Sequence, residues 1–177
     1  AVANGMEVEL VDFSDRRAFE SWVVINDGVM GGFSRGRIVS TDQETALFTG
    51  NLSLANNGGF ASVRKLLSKP LGVDVDGLVI RVKGDGKRYR VRLYMNDRFE
   101  AVSYQAAFDT IRGKWVYIRI RTNAFYPSYR GRFVRNAPVL EPRKIQQIGF
   151  VIADKQSGPF SLELDRIVAY RKERRRK

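Results

Sequence analysis

The 177 residues include no cysteine and no histidine. Without cysteine there is no disulfide, no thiolate metal site and no cysteine nucleophile, and composition leaves the redox compartment open. Without histidine the usual imidazole ligands of hydrolytic zinc and the usual base of a serine triad are missing, so side-chain catalysis would have to be carboxylate chemistry. A glycosidase needs two facing carboxyl groups, and Asp27, Asp97, Glu100, Asp109 and Asp154 are candidates by position, but no motif pairs any two of them. Long apolar runs are also lacking: none approaches the ~18 residues of a membrane-spanning helix. The first ten residues, AVANGMEVEL, have neither the basic nor the apolar run of a signal peptide. Gly28-Val29-Met30-Gly31-Gly32 lacks the Gly-Lys-Ser/Thr ending of a phosphate loop. These absences predict a chain with no enzymatic activity, no cofactor and no metal.

Most informative among the residues present are two glycine pairs beside amides. One lies in WVVINDGVMGGFS, starting at Trp22, and the other in NNGGFASVR, starting at Asn56. Gly28, Gly31, Gly32, Gly58 and Gly59 permit positive φ or close backbone approach, and Asn26, Asp27, Asn56 and Asn57 can bond their own backbone two residues on. We read all of these with Trp22 as structural loop motifs that dock one loop on the other; a bound ligand or calcium ion is the alternative for the amides and Asp27. Short alternating segments separated by turns predict an all-β chain, with strands over 7–12, 22–26, 36–40, 46–54, 60–66, 78–83, 88–95, 103–108, 115–121, 145–153 and 160–171. The one helix candidate is 14–21, with Ser14 as N-cap. The 84–87 link reads as a hairpin turn, and 125–142, punctuated by Pro127, Gly131, Pro138, Pro142 and basic residues, as a mobile segment. Residues 1–170 are expected to form a single domain, with 171–177 as a basic tail.

Charge follows the strand period. Leu78, Ile80 and Val82, then Tyr89, Val91 and Leu93, then Val116, Ile118 and Ile120 fall on one face, while Arg81, Lys83, Arg88, Arg90, Arg92, Arg119 and Arg121 fall on the other. If the three strands share a sheet, the arginines form one continuous basic platform; the alternative is an ordinary solvated face. The tail supplies +5 of the net +12. Such a surface suits an anionic partner, whether RNA, an acidic protein or a lipid surface. Phe125, Tyr126 and Tyr129 beside Arg130 and Arg132 have the composition of a contact surface, whereas Trp22, Phe60, Trp115 and Phe160 are expected in the core.

Several of these motifs together resemble one family. Trp22, Asn26-Asp27-Gly28-Val29-Met30-Gly31-Gly32 and Ser34 are similar to the opening of the complex I intermediate-associated protein family. Gly113-Lys114-Trp115, Phe125-Tyr126-Pro127, Ile148-Gly149-Phe150, Ala153-Asp154-Lys155-Gln156, Gly158-Pro159-Phe160 and Leu162-Glu163-Leu164-Asp165 follow in the family's order. The resemblance implies a galactose-binding-type jelly roll, two antiparallel sheets face to face, in agreement with the strand pattern. It also implies a chaperone-like factor that assists assembly of respiratory complex I (NADH dehydrogenase) by binding a subunit or intermediate. The expected contacts are Arg81, Arg90, Arg92, Arg119, Arg121, Phe125, Tyr126, Tyr129, Arg130 and Arg132. The compartment would be the mitochondrial matrix or another organelle in a eukaryote and the cytoplasm in a bacterium. A carbohydrate-binding module, which would show exposed rings along one concave sheet, and an RNA-binding module using the basic face and tail are the alternatives.

Overall fold

Wherever the sequence alternates with period two, the chain is a strand. The computed structural model describes residues 5–15, 21–26, 32–57, 59–98 and 101–172. Its strands are β1 (Met6–Val11), β2 (Trp22–Asn26), β3 (Arg35–Ser40), β4 (Ala46–Leu52), β5 (Ala61–Leu66), β6 (Gly77–Lys83), β7 (Arg88–Tyr94), β8 (Ser103–Asp109) and β9 (Trp115–Arg121). They continue with β10 (Tyr126–Tyr129), β11 (Arg132–Phe133), β12 (Gln147–Ile152) and β13 (Gly158–Arg171). The β2 and β9 bounds coincide with those read from the sequence.

The strands form two antiparallel sheets. One has six strands in the order β3-β4-β13-β6-β9, with β1 also paired to β13; the other has seven, in the order β11-β10-β8-β7-β12-β5-β2. β13 is long enough to pair β4 along its first half, from Gly158 to Leu164, and β1 along its second, from Ile167 to Arg171. Between the sheets lie Phe48, Leu78, Ile80, Val82, Tyr89, Leu93, Phe150, Ile152 and Leu164, all 0% exposed. Each such side chain contributes about 1.5–3 kcal/mol by leaving water. Among the described residues no helix is long and apolar enough to cross a membrane.

The 84–87 link is not a hairpin. β6 lies in the six-stranded sheet between β13 and β9, and β7 lies in the seven-stranded sheet between β8 and β12, so the link crosses from one sheet to the other. Asp85 pins the crossing. Its Oδ2 accepts the Ser161 N–H of β13 at 2.9 Å, and its Oδ1 accepts the Lys87 N–H at 3.1 Å and the Tyr89 hydroxyl at 3.0 Å. Burial first, then the Asp85 charge and this hydrogen bond, push the Tyr89 phenol far up from its ordinary pKa. Gly84 is required by contact: a Cβ there would stand 2.3 Å from the Thr110 side chain.

One other expectation changes, and one falls largely outside the described residues. Residues 125–142 show no alternation, yet β10 pairs β8, with Tyr126 opposite Gln105 and Ser128 opposite Ser103. The β10–β11 turn uses Arg130 (φ 49) and Gly131 (φ 78), and the Val134 N–H returns to the Pro127 carbonyl at 3.2 Å. Pairing to a distant strand has overridden a weak local pattern. At the start of the helix candidate, the Ser14 hydroxyl and N–H both donate to the Asp12 carboxylate, which these bonds hold below the usual carboxylate pKa. Residues 16–20 of that candidate lie outside the described residues. So do 173–177 of the tail, whose first backbone N–H beyond β13, that of Lys172, donates to Asp76 at 2.7 Å.

Candidate functional site

The platform of arginines on one sheet does not exist, because β7 sits in the other sheet from β6 and β9. Four of the basic side chains nonetheless meet. Arg88 and Arg90 of β7 and Arg119 and Arg121 of β9 rim a cleft of about 660 Å³ on the flank of the sandwich. Its floor is apolar and low, with Ala106 and Ala107 of β8, Ile118 and Ile120 of β9, and Ala124; Asn123 and Tyr126 add polar atoms. Asp154 is the one carboxylate in the lining, and it is already engaged by Arg90 at 2.5 Å. Arg88 stands 4.0 Å from Asp109 with both side chains largely in solvent, an arrangement that contributes little. Arg119 lies 4.3 Å over the Tyr170 ring. Neither Arg119 nor Arg121 has a carboxylate partner among the described residues. The cleft therefore carries a strong excess of positive charge over an apolar base, which suits an acidic, partly apolar ligand.

Arg119 also borders a smaller basin on the outer face of the six-stranded sheet, lined by Val79, Val168, Tyr117, Arg81 and Arg166. Here the charges are largely compensated: Arg81 binds Asp165 at 2.5 Å and Arg166 binds Glu7 at 3.2 Å. The Trp115 ring lies under Arg81 at 4.4 Å and near Lys83 at 5.2 Å. Trp115 is thus outside the core expected for it, while Trp22 and Phe160 are inside, 7% and 2% exposed. Its outward position follows from strand parity, since Trp115 shares a face with Tyr117, Arg119 and Arg121.

The outer face of the seven-stranded sheet holds the remaining arginine of the expected platform. Register places Arg92 between Gly149 and Gln105, and its Nε donates to the Gln105 amide oxygen at 3.1 Å. Burial lowers the Arg92 pKa from its ordinary value; Tyr94 opposes this, and Arg64 and Arg90 add to it. Tyr94 is 3% exposed beneath the Arg64 guanidinium at 4.0 Å, so it offers no open ring for stacking. Of the expected contacts on 125–132, Phe125 is a correction: its ring is 8% exposed and packs in the core. Tyr126 and Tyr129 are more than a third exposed, Arg130 lies 5.5 Å over Tyr129, and Arg132 is exposed beside Phe133.

Among the loop motifs, Asn56 sits in a 3-10 turn at φ 54, ψ 38 and Gly59 at φ 139, as turn formers. Asn26 has a buried Oδ1 with no hydrogen-bond partner among the described residues and faces Gly36, where a Cβ would approach it to 3.1 Å. Trp22 stacks on Phe13. A link between the loops that sequence reasoning missed comes from Ser34, whose hydroxyl donates to the Ser53 carbonyl at 3.1 Å and accepts the Ser53 N–H at 2.9 Å. Gly32 is half-buried, whereas Asp27, Gly28, Gly31 and Gly58, and the Asn57 side chain, lie outside the described residues.

The model of the family described as complex I intermediate-associated protein 30 matches residues 11–164. The chain belongs to that family. Among its relatives is the complex I intermediate-associated protein 30, mitochondrial, of Mus musculus, 29% identical over 86% of this chain and 53% of the relative. The Drosophila melanogaster protein of the same name is 26% identical over 87% of this chain and 60% of the relative. The chain thus spans about half the length of the mouse relative and somewhat more of the fly one. The fold of this family member is similar to the family 11 carbohydrate-binding module of a Clostridium thermocellum cellulase, with a TM-score of 0.71, 16% identity and 99% of each chain covered. The same family of module in complex with a mixed-linked tetrasaccharide superposes with a TM-score of 0.69 at 18% identity, again over 99% of each chain. At these identities the likeness is one of fold, a jelly roll of two antiparallel sheets.

Proposed function

We propose that this domain is a non-catalytic assembly factor that holds a subunit or intermediate of respiratory complex I in a chaperone-like manner. The observation that carries the proposal is the family match across residues 11–164, with relatives named for complex I intermediates. The arginine-rimmed cleft, the basic-aromatic basin beside it and the exposed Tyr126, Tyr129, Arg130 and Arg132 supply the contact surface. Arg92, largely covered and bonded to Gln105, belongs to the framework of that surface. The place of action is the mitochondrial matrix if the source is a eukaryote with the relatives' targeting, and the cytoplasm if it is a bacterium.

The test is removal of the protein from its native cell. Native gels probed for complex I subunits are expected to show a stalled subassembly and less mature complex, and the tagged chain is expected to co-migrate with the subassembly and be absent from the mature enzyme. Normal complex I levels, or a tagged chain that never co-migrates with any complex I subunit, would refute the reading.

A further inference from the structure

The cleft is bounded on one side by a strand edge. β9 pairs with β6 and with no other strand among the described residues, so it ends the six-stranded sheet. In an antiparallel strand alternate residues direct N–H and C=O toward the partner, and the others direct theirs away from it. β9 therefore presents a row of backbone donors and acceptors over seven residues, about 23 Å. Four consecutive residues, Ile118, Arg119, Ile120 and Arg121, line the cleft, so the strand itself bounds it, and the small side chains of Ala106 and Ala107 leave the space open.

We propose that β9 accepts an extended, acidic segment of a partner polypeptide as an added strand. Backbone hydrogen bonds to the β9 edge hold the segment, small apolar side chains settle on Ala107, Ile118 and Ala124, and carboxylates meet Arg88, Arg119 and Arg121. Charge selects the occupant. Basic side chains flanking an open edge repel basic strands and would be desolvated without a counter-charge by neutral ones, which is how natural sheets avoid indiscriminate pairing, and they favour an acidic one. A second copy of this chain would set Arg119 and Arg121 against themselves, and like charges opposed across strands destabilise pairing. A nucleic acid would satisfy the guanidinium groups but not an alternating row of N–H and C=O groups. The identity of the partner rests on the assembly-factor reading; the edge and its chemistry do not.

The experiment uses the full chain and labelled short peptides alternating glutamate and valine, the same peptides N-methylated along one edge, and a lysine-for-glutamate version. Polarisation titrations should show the glutamate peptide binding, with affinity falling about tenfold or more on N-methylation, with lysine, and in an Arg88→Glu/Arg121→Glu variant, and weakening as salt rises. Both substituted residues are exposed, and circular dichroism checks the fold; the N-methyl arm needs no variant. Amide hydrogen exchange should slow at every second β9 residue. Binding indifferent to N-methylation, protection that spares β9, protection of β9 by an RNA oligonucleotide, or a β9-paired dimer of the free chain would each overturn the proposal. In pull-downs of complex I subassemblies, competition by the glutamate peptide supports both readings. Capture unaffected by saturating peptide sinks the edge proposal alone, and peptide binding without any capture sinks only the complex I partner.

Discussion

Asp85→Ala tests whether the sheet-crossing link is held by one carboxylate. The side chain accepts three hydrogen bonds, from the Ser161 N–H, the Lys87 N–H and the Tyr89 hydroxyl. Their losses differ. Tyr89, 0% exposed, can still donate to the Ser161 carbonyl 3.1 Å away, and the Lys87 N–H lies near solvent. The Ser161 N–H, on the long central strand, is left to find water or remain unpaired, which costs about 1–3 kcal/mol. With partial losses at the other two donors, the substitution should destabilise by about 2–4 kcal/mol, since hydrogen bonds to a charged acceptor contribute roughly 1.5–3 kcal/mol each. For a domain of this size that is a fall of roughly 5–15 °C in Tm. The neighbouring Lys87 ammonium at 3.7 Å adds little. Urea unfolding followed by the fluorescence of Trp22 and Trp115 measures the change, and Asp85→Asn, which keeps one acceptor, should fall between parent and alanine variant. An alanine variant within about 0.5 kcal/mol of the parent, the scale of an ordinary surface substitution, would refute the idea that Asp85 fastens the crossing.

The raised Tyr89 pKa predicts a stability that is complete below about pH 10, where free tyrosine ionises, and declines as pH climbs above it, because the unfolded chain releases a proton that the folded one keeps. Denaturant titrations across alkaline pH should show a shallower decline for Tyr89→Phe, and an equal slope would count against the assignment. Gly50→Ala places a Cβ 1.9 Å from the Arg35 carbonyl oxygen and 2.8 Å from the Gly36 Cα, so β3 must shift; a loss of about 1–3 kcal/mol or more is expected in urea melts. Asn56→Val forces a β-branched residue to φ 54, which should cost about 1–2 kcal/mol, with Asn56→Gly costing less in the same thermal melts.

Strand identity and facing were legible in the chain because both are local. Leu78, Ile80 and Val82 alternate with Val79, Arg81 and Lys83, and the pleat turns that alternation directly into inside and outside. The same parity put Trp115 on the arginine face, although its size argued for the core. Motif order was local too, which is why the family resemblance was legible in the sequence. Sheet membership was not, because it is decided by pairings between distant residues. The four residues between β6 and β7 permit a hairpin, and what makes them a crossing is Asp85 meeting Ser161, 76 positions away. Proline-broken residues 125–142 likewise became a hairpin only because β8 was there to pair with β10. The cleft depends on the same long-range arrangement. Each arginine was visible as an outward position, but alternation says nothing about which strand ends a sheet, and only the packing of β9's free edge beside β7 and β8 brought four arginines around one opening.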